Sequence, residues 1–277
     1  MSLLDQVSVP KLGPQILTIC GDAGTGKSSL AATFPKPVFM RAEDGVARIP
    51  EGIRPPALPI IKSENDCWDQ LKALLNDEHD FQTLVIDSVS ALDRVFAQAI
   101  LERDGKARSL NQALGGYGAG FNALATMHQR VRKAAEYLRE RRGMNVVFIA
   151  HAEVDRVSPP DMDDYSRYSL RLTHTKSLPP YVDDVDMVGF LRQRSVIKGD
   201  EGDRKRVISM DDRELVCHLT AANVSKNAYG ITEPLVVNLG ENPLAKYMGQ
   251  ETTPKQQPKQ DNEAEGGFKS TRNKEDA

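Results

Sequence analysis

The 277-residue chain has little cysteine and little aromatic content, with three Cys, one Trp and 6 % aromatic residues overall. Cys20, Cys67 and Cys217 lie far apart with no C-x-x-C pair. That spacing excludes a disulfide framework or a cysteine zinc site and fits the reduced thiols of a cytosolic protein. Neither sign of charge dominates, since 36 Lys and Arg against 39 Asp and Glu leave −3 at pH 7. No global basic field therefore draws in nucleic acid, and any polyanion site must be a local patch. No run approaches the roughly 18 apolar residues that span a bilayer. Met1–Pro10 has no basic region followed by an apolar stretch, so no signal peptide and no membrane partner are expected. No internal repeat is visible.

Three zones remain: a leader over residues 1–14, a core over 15–248 and a tail over 249–277. The tail is Gln, Lys, Glu, Asp, Pro and Gly with a single aromatic, Phe268. It cannot bury enough apolar surface to offset its ordering entropy, so disorder is expected there. The core alternates apolar runs (16–20, 37–40, 83–86, 146–150 and 185–191) with helical spacing over 66–75, 91–103 and 121–141. Such alternation predicts an α/β fold around a mostly parallel central sheet flanked by helices. Runs over 205–210, 215–220 and 234–239, with a turn at 211–214, predict an antiparallel C-terminal edge.

The most specific feature is Ile16–Cys20 opening into Gly21-Asp22-Ala23-Gly24-Thr25-Gly26-Lys27-Ser28-Ser29. This is GxxxxGK[ST] placed between a strand and a helix. The glycines let successive backbone N–H groups curl around phosphate oxygens, Lys27 neutralises the β/γ oxygens and the Ser28 hydroxyl is suited to Mg²⁺. ATP and Mg²⁺ are the expected ligands. Thr83-Leu84-Val85-Ile86-Asp87 is an apolar strand ending in an acid, which makes Asp87 the second Mg²⁺ residue. Ser88, not a glutamate, follows Asp87. The group that orients the hydrolytic water must come from elsewhere, and Glu43, just past the second strand, is the candidate. A further strand ends in His151, where an imidazole could donate to the γ-phosphate and report its loss.

Two segments could contact DNA. One is Gly-rich with Tyr117 at its centre. The other, read as a loop over 154–175, carries Arg156, Tyr165, Arg167, Tyr168 and Arg171 among four aspartates; aromatic and basic residues interleaved in this way suit base stacking and phosphate contact. The basic run on 121–141 reads as a solvated helix face.

Leu84-Val-Ile-Asp-Ser-Val-Ser-Ala-Leu92 resembles the Walker B region of RecA-type recombinases, and Glu43 matches the position of their catalytic glutamate. With Ile149-Ala150-His151, the layout is similar to phage-encoded RecA-like ATPases of the Sak type over residues 15–240. The resemblance implies an ATPase that acts on single-stranded DNA in phage recombination, by annealing or strand exchange, in the cytoplasm of a bacterial host. It also implies a homo-oligomeric ring or filament with each site completed by a neighbour's basic pair. Here Lys226 matches one member of that pair, but Ala228 stands at the other. The tail would be a docking peptide for a protein partner such as a single-strand-binding protein. Two other functions fit the residues: an ATP-dependent assembly switch, and a small-molecule kinase with 154–175 as its lid.

Overall fold

The structure is a computed structural model and describes residues 3–9, 12–198 and 206–248. The expected tail, with Phe268, lies outside the described residues. In chain order the elements are β1 (Ile16–Gly21), α1 (Lys27–Ala31), β2 (Pro37–Arg41), α2 (Glu64–Asn76), β3 (Thr83–Asp87), α3 (Val89–Asp104) and α4 (Ala119–Arg142). There follow β4 (Asn145–Val157), β5 (Tyr165–Leu170), α5 (Pro179–Val182), β6 (Met187–Lys198), β7 (Arg206–Val216), β8 (Lys226–Asn227) and β9 (Leu235–Val237). Among the described residues these strands form one sheet in the order β2-β3-β4-β1-β6-β7-β9, with β5 beside β4 and β8 beside β6. The strands β2, β3, β4, β1 and β6 run parallel, while β5, β7, β8 and β9 pair antiparallel. The mostly parallel α/β sheet with an antiparallel C-terminal edge is the architecture read from the sequence.

The sheet is apolar on both faces because helices cover both, as expected of a parallel core. Along β1, Ile16 and Cys20 join one cluster while Leu17 and Ile19 join the other. The same alternation puts Val146, Phe148 and Ala150 of β4 with the long helices, and Val147 and Ile149 with α1. Phe39 and Phe148 are fully buried, and truncating either to alanine costs about 3–5 kcal/mol. On the α1 face, Ile231, Leu244 and Met248 complete the cover.

Local chemistry sets the helix starts. Ser63 and Asp66 form a reciprocal capping box at α2. The Ser88 hydroxyl caps α3 by accepting from Ala91 N at 3.1 Å, so α3 begins directly at the end of β3.

Two expectations are corrected. The segment after residue 151 is not a plain loop, because β4 runs on to Val157 and pairs antiparallel with β5, making a hairpin beyond the sheet. Residues 211–214 are not a turn but part of β7, which pairs Arg213 with Gln193 and Glu214 with Arg192. Polar residues in both segments suggested turns, but backbone pairing to a neighbouring strand satisfies their N–H and C=O groups instead.

Candidate active site

The C-terminal tips of β1 and β3 meet midway along β4, where its parallel pairing ends. Gly21 lies opposite His151 and Asp87 opposite Ile149, while Ala42, just past β2, donates its N–H to Asp87 O at 2.8 Å. Strand periodicity then sorts the side chains. Asp87 shares the face of Val85, and His151 that of Ile149, which is the face α1 occupies.

The Gly21–Ser29 segment turns from β1 into α1, with Gly24 and Gly26 at φ of 80° and 92°, a region where only glycine sits without strain. A Cβ on Gly21 would lie 2.3 Å from the Leu191 carbonyl oxygen, so the loop can seat against β6 only with glycine there. Lys27 is buried, and its Nζ donates to Gly21 O at 2.9 Å and Asp22 O at 2.8 Å. Burial lowers its pKa, opposed by Cys20, Asp87, Glu43 and Asp22 nearby.

Ser28 Oγ donates to Asp87 Oδ2 at 2.7 Å, bringing together the two residues expected at Mg²⁺. A Cβ on Gly45 would be 3.9 Å from Asp87 Oδ2 and 4.0 Å from Ser28 Oγ, so a glycine keeps space open beside the pair. Hydroxyl and carboxylate oxygens suit a hard cation that keeps several waters and takes the rest of its ligands from phosphate. Among the described residues no group of three or more His, Cys, Asp or Glu could hold a metal ion. Asp87 is 2 % exposed, and burial raises its pKa although Ser28 and Lys27 pull the other way.

Glu43 meets His151, whose Nε2 lies 2.9 Å from Oε1 and 3.2 Å from Oε2. That hydrogen bond, with Ser88 adding to it, holds the Glu43 carboxyl down at about 2 against the opposing effect of burial. The carboxylate can only accept, so His151 Nε2 is the donor, and Nδ1 is buried with no partner among the described residues. The imidazole expected at the γ-phosphate is thus occupied by the carboxylate. The His151 backbone N–H donates to Ser90 Oγ at 3.0 Å, tying the middle of β4 to the start of α3. Lys27, Ser28, Ser29, Glu43, Asp87 and His151 line one cavity of about 600 Å³, together with Ala23, Gly24, Gly26, Asp44, Gly45, Arg48 and Ile49.

The other expected residues fall elsewhere. Lys226 sits on β8 beside the N-terminal half of β6 and donates to Asp183 O at 2.6 Å, outside its own chain's cavity. The hairpin divides its aromatic and basic residues between two faces. Tyr165 and Arg167 lie across from Val157 and Asp155, while Tyr168 lies across from Val154 on the opposite face. Tyr168 also stacks on Phe190 at 5.0 Å, Arg156 pairs with Asp164 at 2.7 Å, and Arg171 Nη2 donates to Ala152 O at 2.8 Å. Tyr117 is fully exposed at φ 50° just before α4.

Arg48, on the cavity rim, and Arg213, against Gly26, were not anticipated. Neither belongs to a motif. Arg213 could be placed only by knowing the β6–β7 register, since it shares a strand face with buried Leu215.

Comparison with curated proteins gives no match. Among matching solved structures is the crystal structure of the RadB recombinase, 13 % identical, covering 74 % of this chain and 81 % of that chain with a TM-score of 0.42. The AAA domain family matches residues 14–217, a span that runs from the start of β1 past the end of β7 and includes the phosphate loop, Glu43, Asp87 and His151. The chain belongs to the AAA domain family.

Proposed function

We propose that the protein binds and hydrolyses ATP with Mg²⁺, and that turnover is coupled to single-stranded DNA in phage homologous recombination, by annealing or strand exchange. One observation carries the ATPase reading: Lys27, the Ser28–Asp87 pair and the Glu43–His151 pair converge on a single cavity at neighbouring strand tips. In this reading Lys27 leaves the Gly21 and Asp22 carbonyls for the β/γ oxygens. Mg²⁺, when bound, neutralises charge on those oxygens, with Ser28 and Asp87 as its protein contacts. Glu43 accepts a hydrogen bond from the attacking water and aims its lone pair at the γ-phosphorus.

DNA coupling rests on connectivity. His151 holds Glu43 and stands at the root of the β4–β5 hairpin. A shift of Glu43 when the γ-phosphate leaves would be felt directly by the hairpin. Tyr165 and Arg167, sharing one face, and the exposed Tyr117 are the favoured DNA contacts; stacking contributes about 1–3 kcal/mol per base. Assembly of copies into a ring or filament, and docking of a single-strand-binding protein by the tail, belong to the same reading.

The deciding experiment is ATPase activity with and without single-stranded DNA over a range of lengths and salt. Turnover should rise with DNA, and DNA affinity should fall with salt. Absence of both overturns the DNA half of the proposal. Normal turnover by Lys27→Ala overturns the ATPase half.

A further inference from the structure

The phosphate loop carries a second cation that no motif announces. Arg213 lies on β7, one register step before the pair Arg192–Glu214 and on the face of buried Leu215. That face is the one on which α1 begins, and the side chain crosses to the loop there. A Cβ built on Gly26 would stand 2.1 Å from Arg213 Nη1, 3.4 Å from Cζ and 3.9 Å from Cδ. The guanidinium therefore occupies the space that any other residue at position 26 would fill. The neighbouring Arg192 is neutralised by Glu214 at 2.7 Å. Among the described residues no carboxylate pairs with Arg213. A half-buried guanidinium with no carboxylate partner among the described residues, resting on the glycine-rich loop, is suited to binding an anion.

We propose that Arg213 grips the α/β-phosphate portion of the bound nucleotide from the β7 side, in cis. This deepens the nucleotide-binding reading and rests on it. The choice of α/β over γ follows from placement. The γ-directed groups, Glu43, Asp87 and His151, line the main cavity, whereas Arg213 does not line it and lies beyond Gly26. A contact there is made equally by ADP and ATP, so it contributes affinity without being confined to the transition state. It also gives the C-terminal antiparallel edge a role in the site: the hairpin β6–β7 carries a ligand-binding residue.

Titration calorimetry on the full chain with ADP and with a non-hydrolysable ATP analogue tests the assignment, using Arg213→Met, Arg213→Lys and Lys27→Ala. Methionine keeps the apolar stem without the charge. Arg213→Met should weaken both nucleotides alike, by about tenfold, the scale of one charge-assisted hydrogen bond. Arg213→Lys should recover part of that loss. Melting of nucleotide-free protein should be the same for both variants and the parent. Unchanged ADP affinity in Arg213→Met, or a loss confined to the ATP analogue, overturns the proposal. So does an equal loss in both variants accompanied by lower melting temperatures, which would mark a packing role. Lys27→Ala separates the two levels. If it binds like the parent, the nucleotide reading itself falls; if it loses binding while Arg213→Met does not, only the Arg213 assignment falls.

Discussion

Asp87 and Glu43 are carboxylates whose pKa values are shifted in opposite directions at one site. Burial raises the Asp87 pKa, and Ser28 is the side chain that donates to it. A folded-state pKa above the unfolded value means that ionisation of Asp87 opposes folding, and the opposition is lost as the pH falls. Asp87→Asn should therefore raise the melting temperature of nucleotide-free protein at neutral pH while abolishing Mg²⁺-dependent turnover. A fall in both would show that the carboxylate is structurally needed. Such a trade of stability for activity is usual at sites built for a charged ligand. Glu43 is the reverse case, lowered from 4.5 to about 2 chiefly by the His151 hydrogen bond. Its contribution to stability is fully present above about 4.5 and lost as the pH falls toward about 2. His151→Ala should let the Glu43 carboxyl climb back toward its ordinary value, as read by carbon-13 NMR titration of that side chain. A Glu43 that still titrates at about 2 in the variant would remove His151 as the cause. Glu43→Gln, which keeps the shape and loses the charge, should bind ATP and slow its hydrolysis by about 10²-fold or more.

At the scale of elements, the hairpin β4–β5 shows why a pattern of residue types is not yet a surface. Interleaved Tyr and Arg over 165–171 read as one DNA-binding stretch, but a strand has period two and sends neighbours to opposite faces. Tyr165 and Arg167 share one face; Tyr168 lies on the other, spread on Phe190. The double variant Tyr165→Ala/Arg167→Ala should lower single-stranded DNA affinity at least tenfold with little change in melting. Tyr168→Ala should lower the melting temperature and leave affinity near that of the parent once folded. Equal DNA losses from both would mean that the hairpin binds as a loop. The same case explains what was legible. The central parallel strands announce themselves because they are buried on both faces, and GxxxxGK[ST] and the acid of β3 then place the phosphates. The 154–175 and 211–214 segments were misread because edge strands and hairpins expose polar residues that imitate turns. Arg213 stayed hidden for a further reason: its contact with Gly26 depends on a strand register set by partners far away in sequence.

For the whole molecule, the position of Lys226 limits how copies could cooperate. The phosphate loop lies at the C-terminal tips of the parallel strands. Lys226, beside Val188 on β8, donates toward Asp183 at the N-terminal side of β6. If a neighbour's Lys226 completes the site, the contact must join different surfaces of the two copies. Repeated head to tail, such a contact generates a ring or filament, whereas a two-fold dimer would need the loop and Lys226 to share one self-complementary patch. Mixing inactive variants tests this directly. Lys27→Ala has no working phosphate loop but keeps Lys226, whereas Lys226→Ala keeps the loop but lacks the lysine. Random mixing in equal amounts pairs an intact loop with an intact lysine at roughly a quarter of the interfaces, so activity absent from each variant alone should reappear in the mixture. The alternative is that Lys226 serves only the Asp183 carbonyl. Lys226→Ala would then retain ATPase activity, or lose it together with thermal stability, and mixing would restore nothing. Recovery in a species that sediments as a two-subunit particle would keep the trans lysine but overturn the ring or filament, because a two-fold interface makes the loop-to-lysine contact twice and then closes.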